Sequence, residues 1–265
     1  MTSTAALVEE TIMKKRLRCD KHPVTEIESE VVAGHQIKSC PECEKERAQE
    51  EDKRRIKREE QEKFEKQKTI NKALDNAMLA PRFRQKTLKD FQIDNEGQSK
   101  AVASIKWFIK EFPERMGLIL IGRPGTGKNH LACACVRQLI EEGKTGLITT
   151  VSKVLRKIKD SWRAEGKSET EIMRSFLKPD ILVIDEIGVQ FGSDTERMYI
   201  TEIINDRYEW EKPTILISNL TMKELSGLLG DRVIDRFREG GKVVVFDWES
   251  YRGMKQKNIK EVKNG

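Results

Sequence analysis

Nowhere in its 265 residues does this chain carry an apolar run long enough to cross a bilayer, which takes about 20 residues. The stretch from Met1 to Leu17 also lacks the apolar core of a secretory signal. A cytoplasmic protein with no membrane partner is therefore expected. Cysteine is scarce, at five residues. In a reducing compartment that excludes a disulfide framework and leaves metal ligation or burial. A strong charge of one sign is missing too: 50 Lys and Arg stand against 44 Asp and Glu, a net +6. So slight an excess is compatible with nucleic acid without requiring it. What is plentiful is charge of both signs, 35% of residues, beside 37% hydrophobic, the makeup of a soluble, helix-rich protein.

The scarce residues are unevenly placed. Residues 1–43 hold three of the five cysteines and two of the three histidines. The pairs Cys19-x2-His22 and Cys40-x2-Cys43 lie 17 residues apart. Four soft or borderline donors in two close pairs suit a tetrahedral, structural Zn2+, with His35 a spare candidate for the fourth ligand at poorer spacing. Val31, Val32 and Ile37 between the pairs predict a small hairpin, and a module this short needs such a staple. Residues 44–80 are dense in Glu, Lys, Arg and Gln. Their sparse apolar positions, Ile56, Phe64, Ile70 and Leu74, predict an exposed, charge-paired helical linker that ends at Pro81.

Residues 81–265 read as a third domain. Five β-like runs, Leu118–Ile121, Leu147–Val151, Ile181–Ile184, Thr214–Ser218 and Val243–Phe246, can be picked out. Helix-period segments lie between them, notably at His130–Glu142, Ser152–Ala164, Thr195–Trp210 and Met222–Leu229. Apolar runs joined by crossover helices predict an α/β fold with a five-stranded, mostly parallel sheet covered on both faces.

Gly122, Arg123, Pro124, Gly125, Thr126, Gly127, Lys128 and Asn129 follow the first of these strands and open a helix. That is the context of a phosphate loop. Its glycines let backbone N–H groups turn inward around phosphates, and Lys128 adds a point charge. The cofactors implied are ATP and Mg2+. Asn129 stands where Ser or Thr normally offers a hydroxyl to the metal; its amide oxygen is also a hard ligand. Cys133 and Cys135 read as small core residues.

Ile181 to Glu186 is a buried strand ending in two carboxylates, at the sheet edge where ligands bind. Asp185 can hold Mg2+ and Glu186 can act as general base on a water. Asn219, at the end of the fourth strand, can orient that water. Arg232, Arg236 and Arg238 follow on a short helix, from which a guanidinium could reach a neighbouring subunit's γ-phosphate. Arg252, just past the last strand, could touch a phosphate of its own subunit.

These residues resemble a named group. Gly122–Ala132, with the unusual Asn-His after its lysine, is similar to the DnaC helicase loaders, which are AAA+ ATPases. So are Val183–Gln190, Leu228–Arg236 and Trp248–Arg252, and the resemblance covers roughly residues 81–252. It implies an AAA+ core that self-associates, binds the hexameric replicative DNA helicase and helps place it on single-stranded DNA. It also implies that Lys128, Asn129 and His130 belong to the ATP loop and that Asn219 is a first sensor. Arg236 becomes the finger acting in trans and Arg252 the second sensor. No C-terminal helical lid is expected, and the segment from Pro81 to Phe91 resembles the lead-in that packs near the adenine.

Lys153, Arg156, Lys157, Lys159 and Arg163 cluster on the helix after the second strand, beside Trp162. In loaders and initiators an extra helix here faces DNA, which implies salt-dependent, weakly sequence-selective contact. The resemblance does not reach the N-terminal metal module. Two other readings share the core: an IstB-like transposition helper acting on duplex DNA with a transposase, and an adaptor that ATP merely gates.

Overall fold

The computed structural model describes residues 15–22, 26–32, 35–38, 40–162, 168–188 and 193–251. The chain divides into two compact units, residues 1–68 and 69–265. In the first, β1 (Lys15–Arg18), β2 (Glu26–Val32) and β3 (His35–Lys38) form an antiparallel sheet in the order β1-β2-β3. The expected hairpin is β2–β3, with Val32 opposite His35. β1 was not anticipated.

Helix α1 runs from Pro41 to Asn76. No glycine or proline interrupts it, and pairs such as Glu50–Arg54 and Asp52–Arg55 decorate its exposed surface. Each such pair is worth only a few tenths of a kcal/mol. Ile56 and Phe64 are exposed. The last turns of α1 differ from the rest. Leu74, followed by Ala77 and Leu79, is buried in the core of the second unit, and the Ala77 carbonyl accepts from the Ile148 N–H at 2.9 Å.

The second unit is built on β4 (Gly117–Gly122), β5 (Gly146–Thr150), β6 (Ile181–Ile187), β7 (Thr214–Ser218) and β8 (Gly241–Phe246). Their order is β5-β6-β7-β4-β8, and every pairing is parallel. Alternate residues feed two apolar layers, as a strand period of two requires. Leu118, Leu120, Val183, Ile215 and Ile217 pack with α2 (Glu96–Lys110), α3 (Lys128–Glu141) and the end of α1. Ile119, Ile121, Leu182, Ile184 and Leu216 pack with α4 (Val151–Ser161), α6 (Asp194–Glu209), α7 (Met222–Leu229) and α8 (Asp231–Gly240). A short α5 (Glu169–Ser175) precedes β6.

All five expected strands are present. β4, β6 and β8 run longer than expected, while Val151 starts α4 instead of ending β5, because the Thr150 hydroxyl accepts from the Lys153 N–H at 3.3 Å and caps the helix. Helices α2 and α5 are additions to the sequence reading.

Arg207 is fully buried at the end of α6. Its guanidinium donates to the carbonyls of Phe176, Pro179, Asp180 and Pro213 and to the Thr214 hydroxyl, at 2.7–3.4 Å. Burial draws its pKa down to about 9. The fork of donors ties α6 to the loops that enter β6 and β7, giving partners to the carbonyls of Phe176 and Pro179 and a second one to that of Pro213, which also accepts from the Leu182 N–H at 3.3 Å.

Candidate nucleotide site

The phosphate loop connects β4, an interior strand between β7 and β8, to α3 at the carboxyl ends of the strands. Five of its carbonyls are engaged. Gly122 O and Arg123 O accept from Lys128 Nζ at 2.6 and 2.8 Å, and Arg123 O also accepts from the Thr126 hydroxyl at 2.8 Å. Gly125 O accepts from the Tyr251 N–H at 3.1 Å and Thr126 O from the Trp248 indole N–H at 3.0 Å. Gly127 O begins the helix, accepting from Leu131 N–H at 3.1 Å. Among the described residues, none of the N–H groups of Gly125, Thr126, Gly127 or Lys128 donates to a backbone carbonyl. A loop with these acceptors used and its donors free is an anion nest. Gly127, at φ +99°, takes a conformation that a side chain would strain, and a Cβ there would lie 2.5 Å from the Phe91 ring.

Lys128 is buried, and desolvation lowers its pKa to about 8 against the opposing pull of Asp185. Two of its three ammonium protons go to the loop carbonyls, leaving one for a phosphate oxygen. Asn129 Nδ2 donates to Asp185 Oδ2 at 2.5 Å, joining the loop to the acidic strand. Glu186 is exposed and sits at φ +62°. The register of β6 against β7 shifts between Ile184 and Ile187 at this point. A left-handed carboxylic residue costs about 1–2 kcal/mol. Such bulges next to a site re-aim a side chain.

Pro124, Gly125, Thr126, Gly127, Lys128, Asn129, His130, Asp185, Glu186 and Asn219 line one cleft of about 640 Å³. Gly122 and Arg123 stand behind it, holding Lys128. Arg82, Phe83, Lys86 and Phe91 of the lead-in form another part of the wall, as do Gln98, Trp248 and Tyr251. His130 Nε2 lies 3.0 Å from the Thr87 carbonyl, which fixes that nitrogen as the protonated one, and its ring meets Phe91 edge-on at 5.6 Å. The histidine thus fastens the lead-in to α3. Gln98, Trp248 and Tyr251 were missed as site residues. Their signals were the Asn95-x2-Gln98 cap and two aromatic residues just past the last strand.

Arg236 does not line this cleft. It is half-buried on α8, donates to Asn205 Oδ1 at 2.5 Å, and stacks 4.3 Å from the Tyr208 ring centre. Arg238 pairs with Asp235 at 3.0 Å. Arg232 is exposed, with no hydrogen bond or ion pair among the described residues. Arg252 lies outside the described residues, as does Arg163. Lys153, Arg156, Lys157 and Lys159 are all exposed on α4, opposite its buried Val151, Val154, Leu155 and Ile158. Lys159 pairs with Glu196 at 2.6 Å, and the half-exposed Trp162 donates to Glu169 at 2.6 Å.

The second cluster of interest is in the first unit. One donor atom each from Cys19, His22, Cys40 and Cys43 lies within 4.8 Å of all the others. His22 Nδ1 is 3.4 Å from Cys43 Sγ, 3.7 Å from Cys40 Sγ and 3.8 Å from Cys19 Sγ, and the sulfurs of Cys19 and Cys43 are 3.5 Å apart. Zn–S bonds of about 2.3 Å and Zn–N bonds of about 2.0 Å imply tetrahedral edges of about 3.5–3.8 Å. The donor set fits zinc. His22 Nε2 lies 3.2 Å from Glu46, the outer carboxylate that orients ligating histidines. Hydrogen bonds from the His22 backbone lower the Cys19 thiol to about 6, while the Cys19 contact raises His22 to about 9 and Cys43 to about 11. The contact drives the Cys19 and Cys43 thiols in opposite directions, and a dication would favour the thiolate at both.

A parallel sheet with a phosphate loop after an interior strand, and paired acids on the strand two places away, defines an AAA+ P-loop nucleotide-binding protein. The comparisons agree. The profile described as IstB-like ATP binding protein matches residues 44–259. The replicative helicase loader DnaC of Escherichia coli (strain K12) is 36% identical over 185 residues, 69% of this chain and 76% of that protein. A crystal structure of the DnaC helicase loader superposes with a TM-score of 0.57 at 28% identity, covering 63% of this chain and 100% of that one. AMPPCP-bound DnaA from Aquifex aeolicus, 22% identical with a TM-score of 0.56, shares the fold across 69% of this chain and 56% of its own. This chain belongs to the IstB-like ATP-binding family and is DnaC-like within it. Among the described residues, no helix is long and apolar enough to cross a membrane.

Proposed function

We propose that this protein is an ATP-dependent loader that binds the hexameric replicative DNA helicase and delivers it to single-stranded DNA during replication initiation. The observation that carries this reading is the 36% identity over 185 residues to a protein named as a replicative helicase loader.

In this reading the free N–H groups of residues 125–128 and the remaining proton of Lys128 hold the β- and γ-phosphates of ATP. Asn129 and Asp185, already in contact, supply oxygens to Mg2+. Glu186 takes a proton from the attacking water and Asn219 orients that water. Subunits associate through the ATPase core, and Arg236 of one subunit reaches the γ-phosphate held by the next once its Asn205 contact opens. Arg252 serves its own subunit's nucleotide. The exposed Lys153, Arg156, Lys157 and Lys159, with Arg163, bind DNA phosphates, so binding weakens steeply with salt. Cys19, His22, Cys40 and Cys43 hold one structural Zn2+, whose part is to fix the first unit.

The test is co-purification of the purified protein with the replicative helicase, with and without ATP. Association is expected, and its absence under both conditions removes the loader reading. The family description favours a second reading, a transposition helper that acts with a transposase on duplex DNA. Stronger binding to a transposase and to double-stranded DNA than to the helicase and single-stranded DNA would select it.

A further inference from the structure

The nucleotide cleft has a back as well as a front, and the back is made by residues 248–251. A trans peptide is planar, so its C=O and N–H point in opposite directions. The Tyr251 N–H holds the Gly125 carbonyl at 3.1 Å, which fixes the peptide plane between Gly125 and Thr126. The Trp248 indole N–H holds the Thr126 carbonyl at 3.0 Å, which fixes the next plane. The N–H groups of Thr126 and Gly127, on the far sides of those planes, are thereby turned into the cleft. Gly125 and Gly127 have φ of +80° and +99°. A loop with two glycines so placed has little stiffness of its own. Its orientation comes from outside.

The segment that orients it is itself fixed. The Trp248 ring packs on Phe246 with centroids 4.8 Å apart. It also covers Gly97 near the start of α2, where an added Cβ would meet the ring at 3.2 Å. Ser250 closes on Gly125 so tightly that a Cβ there would fall 2.1 Å from its hydroxyl.

Resting on the ATP-binding reading above, we infer that residues 248–251 act as a strap that presets the phosphate nest, with Trp248 as its principal positioning residue. The indole touches no phosphate; it acts through the Thr126–Gly127 peptide. Triphosphate binding and the placement of this strap are therefore coupled: whatever moves Trp248 loosens the grip on phosphates more than the grip on the base.

The experiment compares ATP and adenosine affinities, by calorimetry and competition, in the intact wild type and in Trp248→Phe. Phenylalanine keeps an aromatic ring beside Phe246 and deletes the indole N–H together with the pyrrole part of the bicycle. A lost neutral hydrogen bond corresponds to about a three- to tenfold weakening. That loss is expected for ATP, with a smaller loss for adenosine, since Trp248 also lines the cleft. Gly97→Ala, which crowds the indole from outside the loop, is expected to give the same split and serves if Trp248→Phe fails to fold. Equal losses for ATP and adenosine, or no loss for either, would overturn the strap while leaving the ATP site standing. A wild type that binds no ATP overturns both.

Discussion

The two units of this chain are held together by opposite means. The nucleotide-binding unit buries apolar side chains on both faces of a five-stranded sheet, and at about 25 cal/mol per Å² that burial dominates its stability. In the N-terminal unit the hydrophobic cluster found among the described residues consists of Cys19 and Cys40, with Cys43 packed against them. On the zinc reading this unit is held by a metal, whereas the other is held by hydrophobic burial. One unit should fail by losing an ion, the other by losing a buried contact, and neither failure should depend on the other.

Metal removal is the largest expected effect. A structural zinc supplies about 10–16 kcal/mol of folding free energy in small domains. Chelation, or Cys43→Ser, should therefore open residues 15–43 to proteolysis, while ATP affinity stays as in the wild type. Metal analysis should find about one zinc per chain beforehand. A metal-free protein with a protected N-terminal unit would erase the contrast.

Within the nucleotide-binding unit, on the proposed function, Glu186→Gln should cut turnover by about 10²–10⁴-fold with ATP binding retained. Undiminished function in that variant would point to a nucleotide-gated adaptor. Arg207→Met strips partners from four buried carbonyls and should cost about 3–5 kcal/mol. The expected fall in melting temperature is about 6–20 °C, with zinc content unchanged; a shift within error would show that the fork is dispensable.

The smallest effect is one of pH. Desolvation holds Lys128 down to about 8, and phosphate binds the protonated amine. ATP affinity should be flat below that pH and fall by up to tenfold per unit above it, with proton uptake on binding. Calorimetry in buffers of different ionisation heats reads that uptake. An affinity that rises through pH 9 would contradict the burial of this lysine.

The five strands, the phosphate loop and the acidic pair were legible because each has a short-range signature: an apolar run, a glycine spacing, two carboxylates at a strand end. β1, with the sequence KRLR, has a single apolar residue and no period to read. α2 did carry signals, a reciprocal Asn95–Gln98 cap and buried Ala101, Val102, Ile105, Phe108 and Ile109 at helical spacing. The reading passed them over. Other features have no local signature at all. Arg207 looks like any charged residue on an amphipathic helix until tertiary structure sets four carbonyls around it. The left-handed backbone of Glu186 is likewise invisible, because Ile-Asp-Glu-Ile is equally compatible with a regular strand.

The account stands on the loop around Lys128. Titration of the folded wild type with ATP and Mg2+ in a calorimeter, alongside Lys128→Ala, addresses it most directly. Removing a charge-assisted hydrogen bond should weaken ATP by about 10- to 150-fold. A wild type that takes up no nucleotide, or an alanine variant that binds ATP equally well, would contradict the assignment.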